Sequence, residues 1–327
     1  MKEHIVIPLL RPTWCTRAVI EGLFAHYQPS KLHVIAPADG CEALNSVISS
    51  ARWQVGETQT HAEEAFFTAA GTSKAELGKT VDLQHSLYSP GWFYQQLLKL
   101  GAWEGIDGLT EDYLVWDADL LPVNTWPVID RVGNHTYAML QHNSKGNPEI
   151  VGRWERWIRE VLGVEPLTDH EATFVPHHMW FNQPALHALM ARVAEYYNSH
   201  EPWPVLMMRS ANDFGTFSEY WLYASWSASR QGVAPAYYPY PQYGGTTERF
   251  FDDGTGPFSS AMRESLCDQA ITSPSYQQVM AFIESAYASE PLPSSIAFEQ
   301  SARHIKKNKA NMHLEEVRSR WHAATLQ

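Results

Sequence analysis

The chain has 327 residues, too many for a small disulfide-stapled module and enough for one large α/β domain or two ordinary ones. Apolar residues make up 44% and charged residues 18%, a balance that supports a buried core and argues against wholesale disorder. Lys plus Arg number 24 against 36 Asp plus Glu, and the resulting net charge of −12 repels polyanions, so sequence-independent nucleic-acid binding is disfavoured while a bound divalent cation is suited. Cys15, Cys41 and Cys267 are widely spaced and form no CxxC, which excludes a disulfide framework and a thiolate zinc site and fits a reducing compartment. No apolar run approaches the roughly 18–20 residues of a membrane span, and Arg11-Pro12 cuts the opening apolar run short of a signal peptide. The class expected is a soluble, cytoplasmic α/β protein.

In chain order, four continuous apolar runs read as buried strands of a largely parallel sheet. They are Ile5–Ile7, ended by Pro8; Leu32–Ala36, ended by Pro37-Ala38-Asp39-Gly40; Tyr113–Trp116; and Tyr137–Leu140. Residues 17–28 pattern as a helix between the first two. A clearer helix follows Ser89-Pro90-Gly91, with Phe93, Leu97 and Leu100 on one face and Gly101 as its stop. Strand–helix–strand alternation of this kind is the mark of a wound α/β sheet, whose ligand site lies at the carboxyl ends of the strands. Residues 152–164 read as a helix, then 172–176 and 179–181 as short extended segments. A helix from 184 to 197, a Pro- and Trp-containing loop, and a helix from 218 to 227 come next. The Tyr-rich segment 233–245 reads as irregular or edge strand. Residues 256–327 read as mostly helical and increasingly polar, so the expected organisation is a domain over 1–255 with a helical extension over 256–327 packed on it.

The motif that carries chemistry is Asp117-Ala118-Asp119, directly after the apolar run Tyr113–Trp116. Alternate residues of an extended chain point to opposite sides, so two aspartates two apart converge only if the chain bends on leaving the strand. Where it bends, both carboxylates can grip one cation, and hard oxygen donors suit Mg²⁺ or Mn²⁺ with phosphate oxygens completing the shell. The plain alternative is a strand-end turn bearing two solvated acids.

Here the sequence resembles the GT-A-fold nucleotide-sugar glycosyltransferases, whose D-x-D motif also follows an apolar strand. Around it, Gly91–Leu100, Asp112–Asp119, His178–Phe181 and Phe217–Tyr223 resemble a bacterial glycosyltransferase-like group, DUF6492. The resemblance covers about residues 4–245. It implies a GT-A-like (Rossmann-like) wound mixed sheet flanked by helices. It implies Asp117 and Asp119 as ligands of Mn²⁺ or Mg²⁺ bridging a diphosphate, with a C-terminal His, His304, as a further ligand. Nucleotide contacts fall on Pro8, Leu9 and Arg11 after the first strand and on Asp39 after the second. Gln95, Gln96 and Lys99 on the helix before the motif, and Ala118 within it, join them. Glu219, or Asp213 in its place, is implied as the base that takes the acceptor's proton in an inverting transfer. His178 and Trp180 are implied near sugar or acceptor. The donor implied is a nucleoside-diphosphate sugar, UDP favoured, and the acceptor a hydroxyl of a glycan or glycolipid. Leaving-group charge builds on the diphosphate as the anomeric bond breaks, and a fixed cation stabilises it there.

Competing readings attach to the same residues. Thr216-Phe217-Ser218-Glu219 also fits a capping box, with Glu219 turned back to the Thr216 amide. Trp180, Trp203, Trp221 and the Tyr237–Tyr243 run could offer sugar platforms, though Trp221, inside a helix, is expected to be packed. Gly78-Lys79-Thr80 resembles the end of a P-loop, but Ser73 stands where the first Gly belongs. A haloacid-dehalogenase-type phosphotransferase also places D-x-D after a strand, yet expects Thr or Val where this chain has Leu121. A non-catalytic glycan-binding protein is the third reading. Arg303, Lys306, Lys307 and Lys309 allow at most a peripheral contact with anionic lipid.

Overall fold

Strand β1 (His4–Pro8) opens the chain in the computed structural model, followed by α1 (Thr16–Tyr27), β2 (Lys31–Ala36), α2 (Ala38–Ser50) and β3 (Thr58–Ala62). Next come α3 (Lys74–Thr80), α4 (Pro90–Leu100), β4 (Asp112–Trp116), β5 (Leu120–Pro122) and β6 (Met139–Leu140). Helix α5 (Pro148–Trp157) runs on into a π-helical turn over Ile158–Leu162. The rest are β7 (His178–Asn182), α6 (Gln183–Tyr197), α7 (Trp203–Phe214), α8 (Glu219–Arg230), β8 (Tyr237–Tyr238), β9 (Glu248–Phe251), α9 (Tyr276–Ala286) and β10 (Ser295–Glu299). The structure describes residues 3–10, 12–13, 15–50, 53, 55–125, 139–140, 147–168, 174–175, 177–230, 237–238, 248–251, 274–286 and 295–299.

The central sheet has the order β3-β2-β1-β4-β7. β1 pairs in parallel with β2 and β4, β2 pairs in parallel with β3, and β7 runs antiparallel to β4 with Trp116 opposite His178. This is the wound mixed sheet flanked by helices that the sequence leads one to expect. From β1 the chain winds outward through β2 and β3, then returns to β1's other side as β4. The carboxyl ends of β1 and β4 therefore bound a topological switch point, where wound sheets open a crevice for ligands.

Strand alternation sorts the apolar residues into two cores. Ile5, Ile7, Leu32, Val34, Leu114 and Trp116 face α1, α2 and α9. Val6, Ile35, Tyr113 and Val115 face the layer of α4, α6, α7 and α8. Helix α4 begins where Ser89 accepts a bond from the Trp92 amide, with Pro90 at its first position, which needs no amide partner. It ends at Gly101, as expected, but for reasons of space. The φ there is −119°, and an added Cβ would lie 2.6 Å from Trp203 and 2.8 Å from Phe67.

Some elements differ from the sequence reading. Of the fourth apolar run, the described Met139–Leu140 pairs with β8 outside the central sheet. Its expected place there is taken by β3 and β7. β3 (TQTHA) is a polar edge strand without an apolar signature. Part of the Pro- and Trp-containing loop is helix α7, with Pro204 in its first turn, and Gly78-Lys79-Thr80 is the last turn of α3. The segment 172–173 and most of the Tyr-rich run lie outside the described residues. In the C-terminal extension, α9 packs on α1, where His26 Nε2 and Tyr276 Oη are 2.6 Å apart and the Tyr276 amide donates to Glu21. The extension carries a strand as well as a helix: β10 pairs antiparallel with β5 and in parallel with β9. Among the described residues no helix is long and apolar enough to cross a membrane.

Candidate functional site

The bend that the D-x-D spacing requires is present. β4 ends at Trp116, the Asp117 amide donates to the His177 carbonyl at 2.8 Å, and the Leu120 amide closes a turn on the Asp117 carbonyl at 3.1 Å. The Trp116 indole reinforces that turn by donating to the Leu120 carbonyl at 2.6 Å. Asp117 and Asp119 thus sit on one tight turn at the carboxyl end of β4, both half-buried, beside the loop that leaves β1.

Asp117 is the hub of a buried polar cluster. Its Oδ1 accepts from the Lys99 ammonium at 2.6 Å and from the Tyr220 hydroxyl at 2.6 Å. Its Oδ2 accepts from His177 Nδ1 at 3.0 Å. Lys99, on α4 and only 4% exposed, also donates to Glu219 Oε1 at 2.6 Å and lies 4.5 Å from the centre of the Tyr220 ring. Glu219 opens α8, and its amide donates to Gln96 Oε1 at 3.0 Å. Gln96 and Lys99, three apart on α4, share the face that meets α8. Gln96 Nε2 and Ser218 Oγ, beside this pair, are buried without a partner among the described residues.

One ammonium between two carboxylates explains the protonation states. Burial alone would lower the Lys99 pKa, but Asp117 and Glu219 more than offset it, and the group stays charged well above the ordinary lysine range. Burial pushes Asp117 upward, yet Lys99 and His177 together hold it well below the usual carboxylate range. Burial and the neighbouring Asp117 and Glu219 raise the Tyr220 phenol far above its ordinary value, so it donates rather than ionises.

The other nominated residues fall as follows. Pro8 ends β1 and Leu9 is buried, its amide donating to the Ile35 carbonyl at 2.7 Å, so the chain after β1 stays pinned to β2 as it nears the switch point. Asp39 is exposed at the start of α2 beyond β2, where its Oδ1 accepts from the Gly40 amide. Gln95 is half-buried, and Ala118 packs against the α1-side core. Arg11 and His304 lie outside the described residues.

Five residues have surroundings that differ from those their implied roles call for. Lys99 is buried and paired with Asp117 and Glu219, which leaves it almost no surface to offer a nucleotide. Glu219 neither caps its helix through Thr216 nor stands open as a base, because its carboxylate is engaged by Lys99. Asp213 is exposed near the end of α7, accepting from the Tyr197 hydroxyl, and no contact joins it to the cluster among the described residues. Trp180, 3% exposed, lies in the core with Leu114 and Trp116, and His178 packs its ring 4.7 Å from Trp116. Strand alternation sends both inward. The histidine that reaches the site is His177, just before the strand, where a φ of +61° turns it toward Asp117. Trp221, as expected, is packed.

The residues at the tip that could hold a cation are oxygen donors, the kind a hard ion takes. They are two carboxylates, and among the described residues no third His, Cys, Asp or Glu joins them into a metal-holding group. Cys15 lies near Asp119, but burial, with Asp119 adding to it, pushes the thiol up to about 12, so it offers no thiolate. Two carboxylates plus oxygens from a phosphate-bearing ligand make up the kind of shell that Mg²⁺ takes.

Residues 16–283 match the family of unknown function DUF6492. No curated protein is similar in sequence. Among solved structures, the galactosyltransferase LgtC in complex with donor and acceptor sugar analogues aligns over 97% of this chain and 99% of its own, at 13% identity and TM-score 0.41. Mouse xyloside xylosyltransferase 1 in its apo form aligns over 80% of this chain and 93% of its own, at 10% identity and TM-score 0.41. The bifunctional glycosyltransferase WbbM aligns over 100% of this chain and 52% of its own, at 10% identity and TM-score 0.41.

Proposed function

We propose a function for a chain that belongs to the DUF6492 family: metal-dependent transfer of a sugar from a nucleoside-diphosphate sugar, UDP favoured, to a hydroxyl of a glycan or glycolipid. The observation that carries this reading is the pair Asp117 and Asp119 on one turn at the switch point of the sheet. In an acidic protein that crevice would repel a diphosphate, so a cation held by these two carboxylates also answers how an anionic donor binds. When bound, Mn²⁺ or Mg²⁺ supplies Lewis-acid stabilisation of the leaving diphosphate.

The chain's own residues do the rest. Pro8 and Leu9 bring the backbone after β1 to the crevice, Asp39 stands at the end of β2, and Ala118 spaces the two ligands. Lys99, Tyr220 and His177 fix Asp117. An inverting course would need Glu219 as base, and in this structure its Oε1 is bonded to Lys99. We place the activity in the cytoplasm, with at most peripheral membrane contact. Of the other readings, the glycan-binding one loses two of its expected platforms, since Trp180 and Trp221 are buried, and the phosphotransferase one lacks the Thr or Val it expects at Leu121.

The test is calorimetry of UDP binding with Mn²⁺ or with EDTA. The expected result is Mn²⁺-dependent binding by the wild type that falls at least tenfold in Asp117→Ala and in Asp119→Ala, with transfer lost in both. Nucleotide affinity that ignores both substitutions and the chelator would overturn the proposal.

A further inference from the structure

Three donors from three separate elements converge on the Asp117 carboxylate. An ionised carboxylate has about four acceptor positions, two on each oxygen. On Asp117 the Lys99 ammonium and the Tyr220 hydroxyl take both positions of Oδ1, and His177 takes one of Oδ2. One position on Oδ2 remains among the described residues. Lys99 is itself fully used. Its ammonium bonds Asp117 and Glu219 and lies 4.5 Å from the centre of the Tyr220 ring, and almost none of its surface meets solvent.

We infer that Lys99 is a positioning residue: buried behind the site and touching neither cation nor nucleotide, it holds Asp117 so that the carboxylate offers a cation a single oxygen. This rests on the cation site proposed above and adds how that site chooses its ion. Mg²⁺ and Mn²⁺ suit one-oxygen carboxylate contacts in octahedral geometry, whereas Ca²⁺ takes more oxygens and accepts carboxylates through both. With Oδ1 occupied, Asp117 cannot bind through both oxygens, so the clamp selects the smaller ion. Glu219 is the counter-charge that lets the ammonium sit there, and Tyr220 is the second hand of the clamp.

The variant that isolates positioning is Lys99→Met/Glu219→Gln. It removes one positive and one negative charge, so the net charge around Asp117 is unchanged while the clamp is gone. Tyr220→Phe removes only the hydroxyl on Oδ1. UDP binding would be titrated calorimetrically in Mn²⁺ and in Ca²⁺, with folding checked by circular dichroism. The wild type is expected to prefer Mn²⁺. In the double variant the Mn²⁺-to-Ca²⁺ affinity ratio is expected to fall at least tenfold, and in Tyr220→Phe about threefold. A role in packing alone would lower stability without moving that ratio.

A folded double variant whose ratio stays within twofold of wild type overturns the inference and leaves the cation site standing. Should the double variant not fold, an unchanged ratio in Tyr220→Phe overturns it equally. A wild type whose UDP binding ignores both ions removes the proposed site and this inference with it, an outcome distinct from the first two.

Discussion

Lys99 shows how one side chain can decide the state of a site. Removing one partner of a buried ion pair leaves the other charge uncompensated, at about 3–5 kcal/mol. Lys99→Met leaves two buried carboxylates around one methionine, so urea unfolding is expected to show a loss of that size. Lys99→Met/Glu219→Gln should recover part of it, because only Asp117 then remains charged there. The place of Asp117 and Asp119 at a strand end was legible in the sequence, since an apolar run leads directly into them. Their support was not. Lys99 and Glu219 lie 120 residues apart, and only the docking of α8 on α4 joins them. For Glu219 the local pattern shows a helix start but not the ammonium that reaches it from α4. His177 was hidden by its neighbour, since choosing between adjacent histidines depends on a backbone torsion that sequence does not print.

At the scale of elements, the sheet carries a second polar feature remote from the acidic tip. His4, His33 and His61 lie on adjacent strands, with His33 bonded to His61 at 2.9 Å and to His4 at 3.0 Å. His33 has no exposed surface, and its pKa is lowered to about 3, first by burial and then by the charges of His61, His4 and Lys31. His4 and His61 are lowered as well, chiefly by burial, with Lys31 adding to both and Glu57 and Asp107 opposing it. Between the unfolded value of about 6.5 and the lowered native values, the unfolded chain binds more protons, so stability rises with pH. It is complete above about pH 6.5 and is lost as pH falls below that. Each excluded proton contributes about 1.4 kcal/mol per pH unit. Thermal melts from pH 7 to 5 should show this decline, and His33→Leu should flatten it. The buried strands β1, β2 and β4 were readable from continuous apolar runs. β3 was not, because a polar edge strand lacks that signal, and α7 was obscured by Pro202 and Pro204, which mark a helix start as readily as a loop.

The whole molecule is closed from its far end. β5 leaves the acidic turn directly and finds its described partner in β10, where Leu121 stands opposite Ile296. Ile296 is wholly buried among residues of the α1-side core, together with Val279 and Ile283 of α9. Ile296→Ala should therefore cost about 2–5 kcal/mol, the range for deleting buried aliphatic groups, measurable as a lower urea midpoint. Pairing between residues so distant along the chain cannot be read from periodicity, which reports only neighbours.

That pairing also bears on how the protein is made and how it ages. Chains fold from the front as they leave the ribosome, so β1 to β4 can assemble while the backbone edge of β5 is still bare. The described partner of β5 is made only once residues 295–299 have emerged. A protease that nicks the chain ahead of that strand would strike far along the sequence and loosen the turn that bears Asp117 and Asp119.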